Sequence, residues 1–150
     1  MTERINLGKS APAVYQAVVA LERLVSETLA SAGIAQGFAH LLRLRASQIN
    51  ECAYCIKVHT RDALAAGEAA ERATVLPAWR ETGYFSEKER AALELVEAIT
   101  LIAEGQVPDA VYERAAAVLS RDEMVAVEWL AVVINAWNRI AISSRYPVGP

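Results

Sequence analysis

Residues 120–140 read Ser-Arg-Asp-Glu-Met-Val-Ala-Val-Glu-Trp-Leu-Ala-Val-Val-Ile-Asn-Ala-Trp-Asn-Arg-Ile and predict one long, strongly apolar helix. Ser120 and Glu123 have the spacing of a capping box, which marks a helix start. The apolar positions recur at helical spacing: Met124, Val127, Leu130, Ile134, Trp137 and Ile140. Between 125 and 134 the only charge is Glu128, so this helix is expected to lie at the centre of a core or to be shared with another subunit.

The rest of the chain is also predicted to be helical. Five further segments have helical periodicity or helix-end signals: Ser10/Pro12 to Gly33, Ile34 to Ile49, Glu51 to Ala66 before Gly67, Ser86 to Glu104 before Gly105, and Pro108 to Leu119. Between 77 and 84, Pro77, Trp79, Gly83 and Tyr84 favour short helical turns and loops. No alternating strand pattern is present. We therefore predict an all-α fold, a compact bundle of about six helices forming one domain over residues 1–150.

Composition and charge exclude several classes of protein. The 150 residues carry a net charge of −3 with a pI near 5.5, whereas binding to nucleic-acid phosphates requires a basic face. The N-terminus lacks the apolar region of a signal peptide, and the apolar run at 129–134 is too short to span a bilayer. We expect a cytoplasmic protein that binds neither nucleic acid nor membrane.

The candidate chemistry lies in residues 52–59, Cys-Ala-Tyr-Cys-Ile-Lys-Val-His, which contain both cysteines and one of the two histidines. On a helix, Cys55 and His59 are about 40° apart around the axis, and Cys52 and His59 about 20° apart. All three side chains would project from one face. Alone, each residue is more often a packing residue, but the three together at this spacing favour redox chemistry.

A cysteine becomes nucleophilic as its thiolate, and two features of this motif could lower a thiol pKa: a helix N-terminus and a neighbouring protonated imidazole. His59 lies one turn beyond Cys55, within reach for proton transfer. Because disulfides are rare in cytosolic proteins, a Cys-x-x-Cys pair there is more often redox-active or metal-binding than structural.

The wider segment, residues 44–63, reads Leu-Arg-Ala-Ser-Gln-Ile-Asn-Glu-Cys-Ala-Tyr-Cys-Ile-Lys-Val-His-Thr-Arg-Asp-Ala. It resembles the signature of the alkylhydroperoxidase D-like branch of the carboxymuconolactone decarboxylase superfamily. The ending Asn-Ala-Trp-Asn-Arg-Ile-Ala, residues 135–141, is similar to that family's last helix. The resemblance implies an all-helical subunit assembled into dimers, trimers or hexamers, and thiol-dependent reduction of hydroperoxides. We expect no cofactor, and a dithiol or redox protein as the reductant.

The resemblance also implies roles for individual residues. Cys55 would be the peroxidatic thiol that becomes a sulfenic acid, Cys52 would resolve it as a disulfide, and His59 would relay protons. Helix-dipole reasoning alone would choose Cys52 as the attacking thiol, because it lies nearer the helix N-terminus. We follow the family assignment, because His59 is one turn from Cys55 and two turns from Cys52.

Two positions depart from the family pattern. The family's peroxidases usually have a relay glutamate twelve residues before the first cysteine, where this chain has His40. A histidine can relay protons near neutral pH, although a packing or surface role is about equally expected. Tyr54 replaces the histidine that the classical enzyme has between its cysteines, and Glu51 is nearby but does not match the relay position.

Three other interpretations remain open from the sequence. Cys52, Cys55, His59 and His40 are all the cysteines and histidines in the chain, and they could form a Cys₂His₂ zinc site. A decarboxylase acting on lactone acids would need no thiol chemistry. A helical interaction protein would carry its thiols without using them.

Overall fold

The computed structural model of the protein describes residues 2–150. In this part of the chain the regular structure is entirely helical, which confirms the all-α prediction. The nine α-helices are α1 (Leu7–Ser10), α2 (Pro12–Ser31), α3 (Gln36–Ile49), α4 (Ala53–Ala65), α5 (Ala70–Val75), α6 (Glu87–Thr100), α7 (Ile102–Gly105), α8 (Asp109–Val118) and α9 (Arg121–Ser143). A 3₁₀ segment, Leu76–Glu81, follows α5. Six of the nine have ten residues or more, as predicted.

The core forms around α3 and α9, which pack against each other and against α6. Side chains less than 2% exposed come from all three helices: Leu41, Leu42, Leu44, Leu93, Leu95, Val96, Val127, Leu130, Val133 and Ile134. Each fully buried aliphatic side chain of this size stabilises the fold by about 1.5–3 kcal/mol relative to exposure. The core therefore holds α3 and α9 as a rigid platform.

Helix ends follow the predicted signals closely. Ser86 and Ser120 each accept a hydrogen bond from the backbone N–H three residues later, and each glutamate at that position bonds back, so both capping boxes are formed. Gly33 and Gly67 follow α2 and α4 with φ of 80° and 91°, the left-handed conformation that only glycine adopts without steric cost.

Two predictions about helices need correction. The helix that begins after Ser86 does not continue to Glu104. It ends at Thr100, and Leu101 (φ −90°, ψ 35°) separates it from the short α7. The sequence has no glycine or proline at this break. The break occurs where the chain leaves the core, and Leu101 and Ile102 are exposed there. Helical spacing puts Phe38, Leu41 and Leu42 on the apolar side of α3 and predicts Leu44 on the other side, but Leu44 is fully buried, because α3 is covered on nearly all sides.

Helix α9 is long and apolar enough to cross a membrane by length and composition. In the structure its inward face lies in the core of the bundle, as expected for the central helix of a helical protein. Its outward face exposes Val125, Trp129 and Val132, each with 44–48% of its surface accessible. These residues, spaced four and three apart, form one apolar stripe.

Candidate active site

The two cysteines lie at a tight turn between α3 and α4. The N–H of Cys52 donates to the carbonyl of Ser47, and the N–H of Glu51 donates to the carbonyl of Gln48. This is a Schellman motif, with Glu51 in the left-handed conformation at φ 55°. Cys52 then serves as the N-cap of α4. It is thus held by the end of one helix and the start of the next.

Cys52 and Cys55 form a disulfide, with Cα atoms 5.3 Å apart. Sγ of Cys52 also accepts the N–H of Cys55 at 3.4 Å. The two sulfur atoms pack against Ala141 near the end of α9 and against Tyr146 beyond it. Both cysteines are buried, at 1% and 4% exposure, but only Cys55 lines a cavity.

A network of buried amides connects this turn to α9. Asn50, the residue that ends α3, donates to the side-chain oxygens of Asn135 (2.9 Å) and Asn138 (2.8 Å). Asn138 donates in turn to Oγ of Ser47 at 3.0 Å, and Asn135 to Oγ of Thr100 at 3.1 Å. These bonds account for the two asparagines in the 135–141 segment: they fasten the cysteine turn to the core.

His40 on α3 and His59 on α4 face each other. Their Nδ1 atoms are 3.4 Å apart, and the rings are nearly parallel, with an interplanar angle of 28°. Asp62 is next to them: one ligand atom from each of the three residues lies within 4.8 Å of the others. The structure thus brings the four predicted site residues together. His40, Cys55 and His59 line one cavity, and Cys52 lies behind Cys55.

Burial governs the charge state of the two histidines. Burial, followed by the charge of Arg43, lowers the pKa of His59 to about 3 and also lowers the pKa of His40. Both imidazoles are therefore uncharged at neutral pH in the disulfide form, and the effect of an imidazole on the pKa of a free thiol stays a prediction. Asp62 is held ionised, because a hydrogen bond from Arg61 lowers its pKa.

The cavity has a volume of about 730 Å³ and opens between α2, α3, α4 and α9. Its walls carry aromatic, charged and apolar side chains: Tyr15, Glu22, Arg23, Ser26, Glu27, Leu29, Ala30, Ile34, Gln36, Ala39, His40, Arg43, Tyr54, Cys55, Val58, His59, Asp62, Trp137, Ala141 and Tyr146. Glu22 accepts hydrogen bonds from Arg43 at 2.7 Å and from the indole of Trp137 at 3.1 Å. The guanidinium charge near the histidines is therefore balanced by a carboxylate.

Tyrosines surround the side of the cavity nearest Cys55. Tyr54 and Tyr146 meet edge to face with ring centroids 5.1 Å apart, and Tyr15 meets Trp137 in the same way at 5.3 Å. Burial, together with Tyr15, raises the pKa of Tyr146, so its phenol stays protonated. By residue type alone, Trp79, Tyr84, Trp129 and Trp137 are candidates for a substrate pocket or for the core. Of these four, only Trp137 lines this cavity; Trp79 is in the core, and Tyr84 and Trp129 are exposed.

Sequence reasoning did not identify two charged groups of the site. Asp62 lies three residues after His59, a spacing that puts both on one helix face and could have been noticed. Glu22 reaches the cavity from α2, and nothing near it in the sequence indicated this. Glu51 is exposed and does not line the cavity, so it does not take the place of the family's glutamate.

Comparison with known proteins gives consistent results. The sequence profile of the carboxymuconolactone decarboxylase family matches residues 12–98. The uncharacterized protein YdfG of Bacillus subtilis is 36% identical over 143 residues, covering 95% of each chain. The crystal structure of ATU0492 from Agrobacterium tumefaciens, a protein of unknown function provisionally named an antioxidant defence protein AhpD, superposes with a TM-score of 0.88. It is 39% identical and covers 99% of this chain and 100% of its own.

Proposed function

Because the chain belongs to the carboxymuconolactone decarboxylase family and resembles its alkylhydroperoxidase D-like branch, we propose that it is a thiol peroxidase that reduces hydroperoxides through Cys55 and Cys52. One observation carries the proposal: Cys55 faces a cavity of about 730 Å³ while bonded to a second cysteine behind it. A cavity of this size accommodates an organic hydroperoxide.

The proposed reaction has three steps. The Cys55 thiolate attacks one peroxide oxygen, the O–O bond breaks, and the other oxygen leaves as an alcohol after taking a proton. Cys52 then attacks the sulfenic sulfur of Cys55, which forms the disulfide and releases water. An external dithiol, either a small molecule or a redox protein, reduces the disulfide by exchange and is itself oxidised.

Access favours Cys55 as the attacking thiol, whereas helix electrostatics favour Cys52. Cys52 is the N-cap of α4, where the partial positive charge of the helix is greatest. However, Cys52 is 1% exposed and absent from the cavity wall, so a peroxide in the cavity meets Cys55 first. A thiolate that the substrate cannot reach contributes nothing, and we therefore assign the attack to Cys55.

His59 and His40 supply the proton path in this proposal. His59 follows Cys55 by one turn of α4, and its Nδ1 faces His40 across 3.4 Å. Because burial disfavours a charged imidazole at His59, the thiol proton of Cys55 passes through the pair to the leaving alkoxide as the O–O bond breaks, without a lasting imidazolium. His40 thus takes the relay position that a glutamate has in the family's peroxidases.

The experiment that tests this function is a free-thiol count with intact-mass analysis, made before and after one equivalent of an organic hydroperoxide is added to reduced protein. We expect both thiols to disappear, with the loss of two hydrogen atoms and the formation of one equivalent of alcohol. Thiols that remain free after prolonged exposure would reject the peroxidase proposal, because its first step requires their oxidation.

A further inference from the structure

The pair of facing histidines, which the proposed peroxidase uses as a proton path, also has the geometry of a metal-binding pair. The two Nδ1 atoms are 3.4 Å apart, longer than the 2.7–3.2 Å of an ordinary N–H···acceptor hydrogen bond. One ring donating its N–H to the other gives a weak hydrogen bond at this distance, and a cation between two facing lone pairs would hold the rings in the same arrangement.

The same distance matches a metal centre. Two nitrogens bound to tetrahedral Zn²⁺ at about 2.0–2.1 Å are about 3.3–3.4 Å apart, because the angle at the metal is about 109°. Asp62 adds a carboxylate oxygen, and one ligand atom from each of the three residues lies within 4.8 Å of the others. The carboxylate would have to move closer to the two nitrogens for all three to bind one ion.

We propose that His40, His59 and Asp62 form a site for a divalent transition-metal ion, with Zn²⁺ as the best fit, on the wall of the cavity beside Cys55. The set contains two imidazoles and one carboxylate, a donor combination found in open zinc sites that keep a further position for water or substrate. The cavity provides room for that ligand. This site differs from the Cys₂His₂ site considered from the sequence, because Asp62 takes the place of both thiols.

The surroundings are compatible with a bound cation. Arg43 is a positive charge near both histidines, but its guanidinium is paired with Glu22 at 2.7 Å and with Ser26 at 3.2 Å. Arg61 donates to Oδ1 of Asp62 at 2.8 Å and so orients the carboxylate from outside. Hydrogen bonds of this kind to a ligand carboxylate are the usual outer support of a metal site.

The test uses the full chain in its disulfide form, where neither cysteine is available as a thiolate ligand. Metal-free protein is titrated with ZnCl₂ at pH 7.5, and binding is followed by calorimetry and by NMR of the imidazole protons. Since the chain has only two histidines, the imidazole spectrum reports directly on His40 and His59. We expect one Zn²⁺ per chain, with the signals of both rings shifted.

Variants identify the ligands. His40→Ala, His59→Ala and Asp62→Asn should each weaken zinc binding at least tenfold. Glu27→Gln, which changes another carboxylate of the same cavity wall, should bind as the unchanged protein does. The double variant Cys52→Ser/Cys55→Ser should also bind normally, because the thiols are not ligands.

Three results would overturn the proposal: no stoichiometric binding to the unchanged protein, imidazole signals that do not move, or binding lost only in the cysteine double variant. The titration of the unchanged protein shows whether zinc binds, even if a variant fails to fold. The proposal is independent of peroxidase activity, since zinc binding to the oxidised protein is measured without turnover.

Discussion

The side-chain amide of Asn50 donates a hydrogen bond of 2.8 Å to Oδ1 of Asn138 and so joins the cysteine turn to the central helix. Asn138 is fully buried and also donates to Ser47. A residue of α9 thereby helps to hold a Cys-x-x-Cys motif more than 80 residues earlier in the chain.

Asn138→Ala should destabilise the fold by about 2–3 kcal/mol, because it removes a fully buried amide together with its hydrogen bonds to Asn50 and Ser47. The change is measured as the free energy of unfolding in urea. Thr74→Ala serves as the control: it removes an exposed side-chain hydrogen bond in α5 and should have a much smaller effect. Equal losses in the two variants would contradict the importance assigned to the amide network.

Cys55→Ser should abolish hydroperoxide consumption, because it removes the thiol that lines the cavity. Cys52→Ser should still consume one equivalent and then stop, with one oxygen atom added to the protein mass as a sulfenic acid. Intact-mass analysis and peroxide titration distinguish the two variants. The reverse pattern would reassign the attack to Cys52, as helix electrostatics alone favour.

Acidification should destabilise the protein well before its carboxylates are protonated. His59 remains neutral in the folded chain until its pKa of about 3, whereas the unfolded chain takes up a proton near 6.5. The stabilisation from its lowered pKa is fully present above pH 6.5 and is lost as the pH falls towards 3. At pH 5 the loss is about 2 kcal/mol.

Urea unfolding of the disulfide form at pH 7.5 and pH 5.0 measures this effect. His59→Gln keeps a polar side chain at the position but removes the titration, so its stability should fall less between the two pH values. If both proteins lost the same free energy, the source of the acid sensitivity would lie elsewhere.

Glu97 joins α6 to α3 and to the 3₁₀ segment through three hydrogen bonds. Its carboxylate accepts from Arg45, Trp79 and Arg80, and although burial opposes ionisation, these bonds lower its pKa. Glu97→Ala should cost about 3 kcal/mol of unfolding free energy, because it leaves the part-buried Arg45 unpaired.

The matched control for that change is Glu94→Ala, on the same helix. It breaks the surface pair with Arg114, whose side chain is 57% exposed. Surface pairs contribute little to stability, so the effect should be much smaller than that of Glu97→Ala. A comparable effect would mean that burial does not determine the strength of these pairs.

We expect subunits to pack at the apolar stripe of Val125, Trp129 and Val132, because the resemblance to the family implies an oligomer. Exposed apolar side chains in a row on a core helix are typical of such interfaces. Trp129→Glu should reduce the mass measured by light scattering to that of one chain, whereas Tyr112→Glu, on exposed α8, should not. An unchanged mass for Trp129→Glu would place any interface elsewhere.

Local signals in the sequence were sufficient for much of the fold. Capping boxes at Ser86 and Ser120, and glycines at 33 and 67, specify helix ends through contacts within four or five residues, so they could be identified without tertiary structure. The spacing of Cys52, Cys55 and His59 likewise follows from the helical repeat alone. The break after Thr100 could not be predicted, because it depends on where the chain leaves the core.

The sequence by itself therefore determined the helical class, most helix boundaries and the shared face of Cys55 and His59. Cys52, predicted on the same face, is instead the N-cap of α4 and does not line the cavity. Only the tertiary structure decided that His40 faces His59, that Glu22 balances Arg43, and that Cys55 is reached from the cavity while Cys52 is not. The reason is physical: helix ends and helix faces depend on near neighbours, whereas burial, charge state and access depend on which helices pack together. The pKa of His59 illustrates this, since the same imidazole would titrate normally if α4 were not covered.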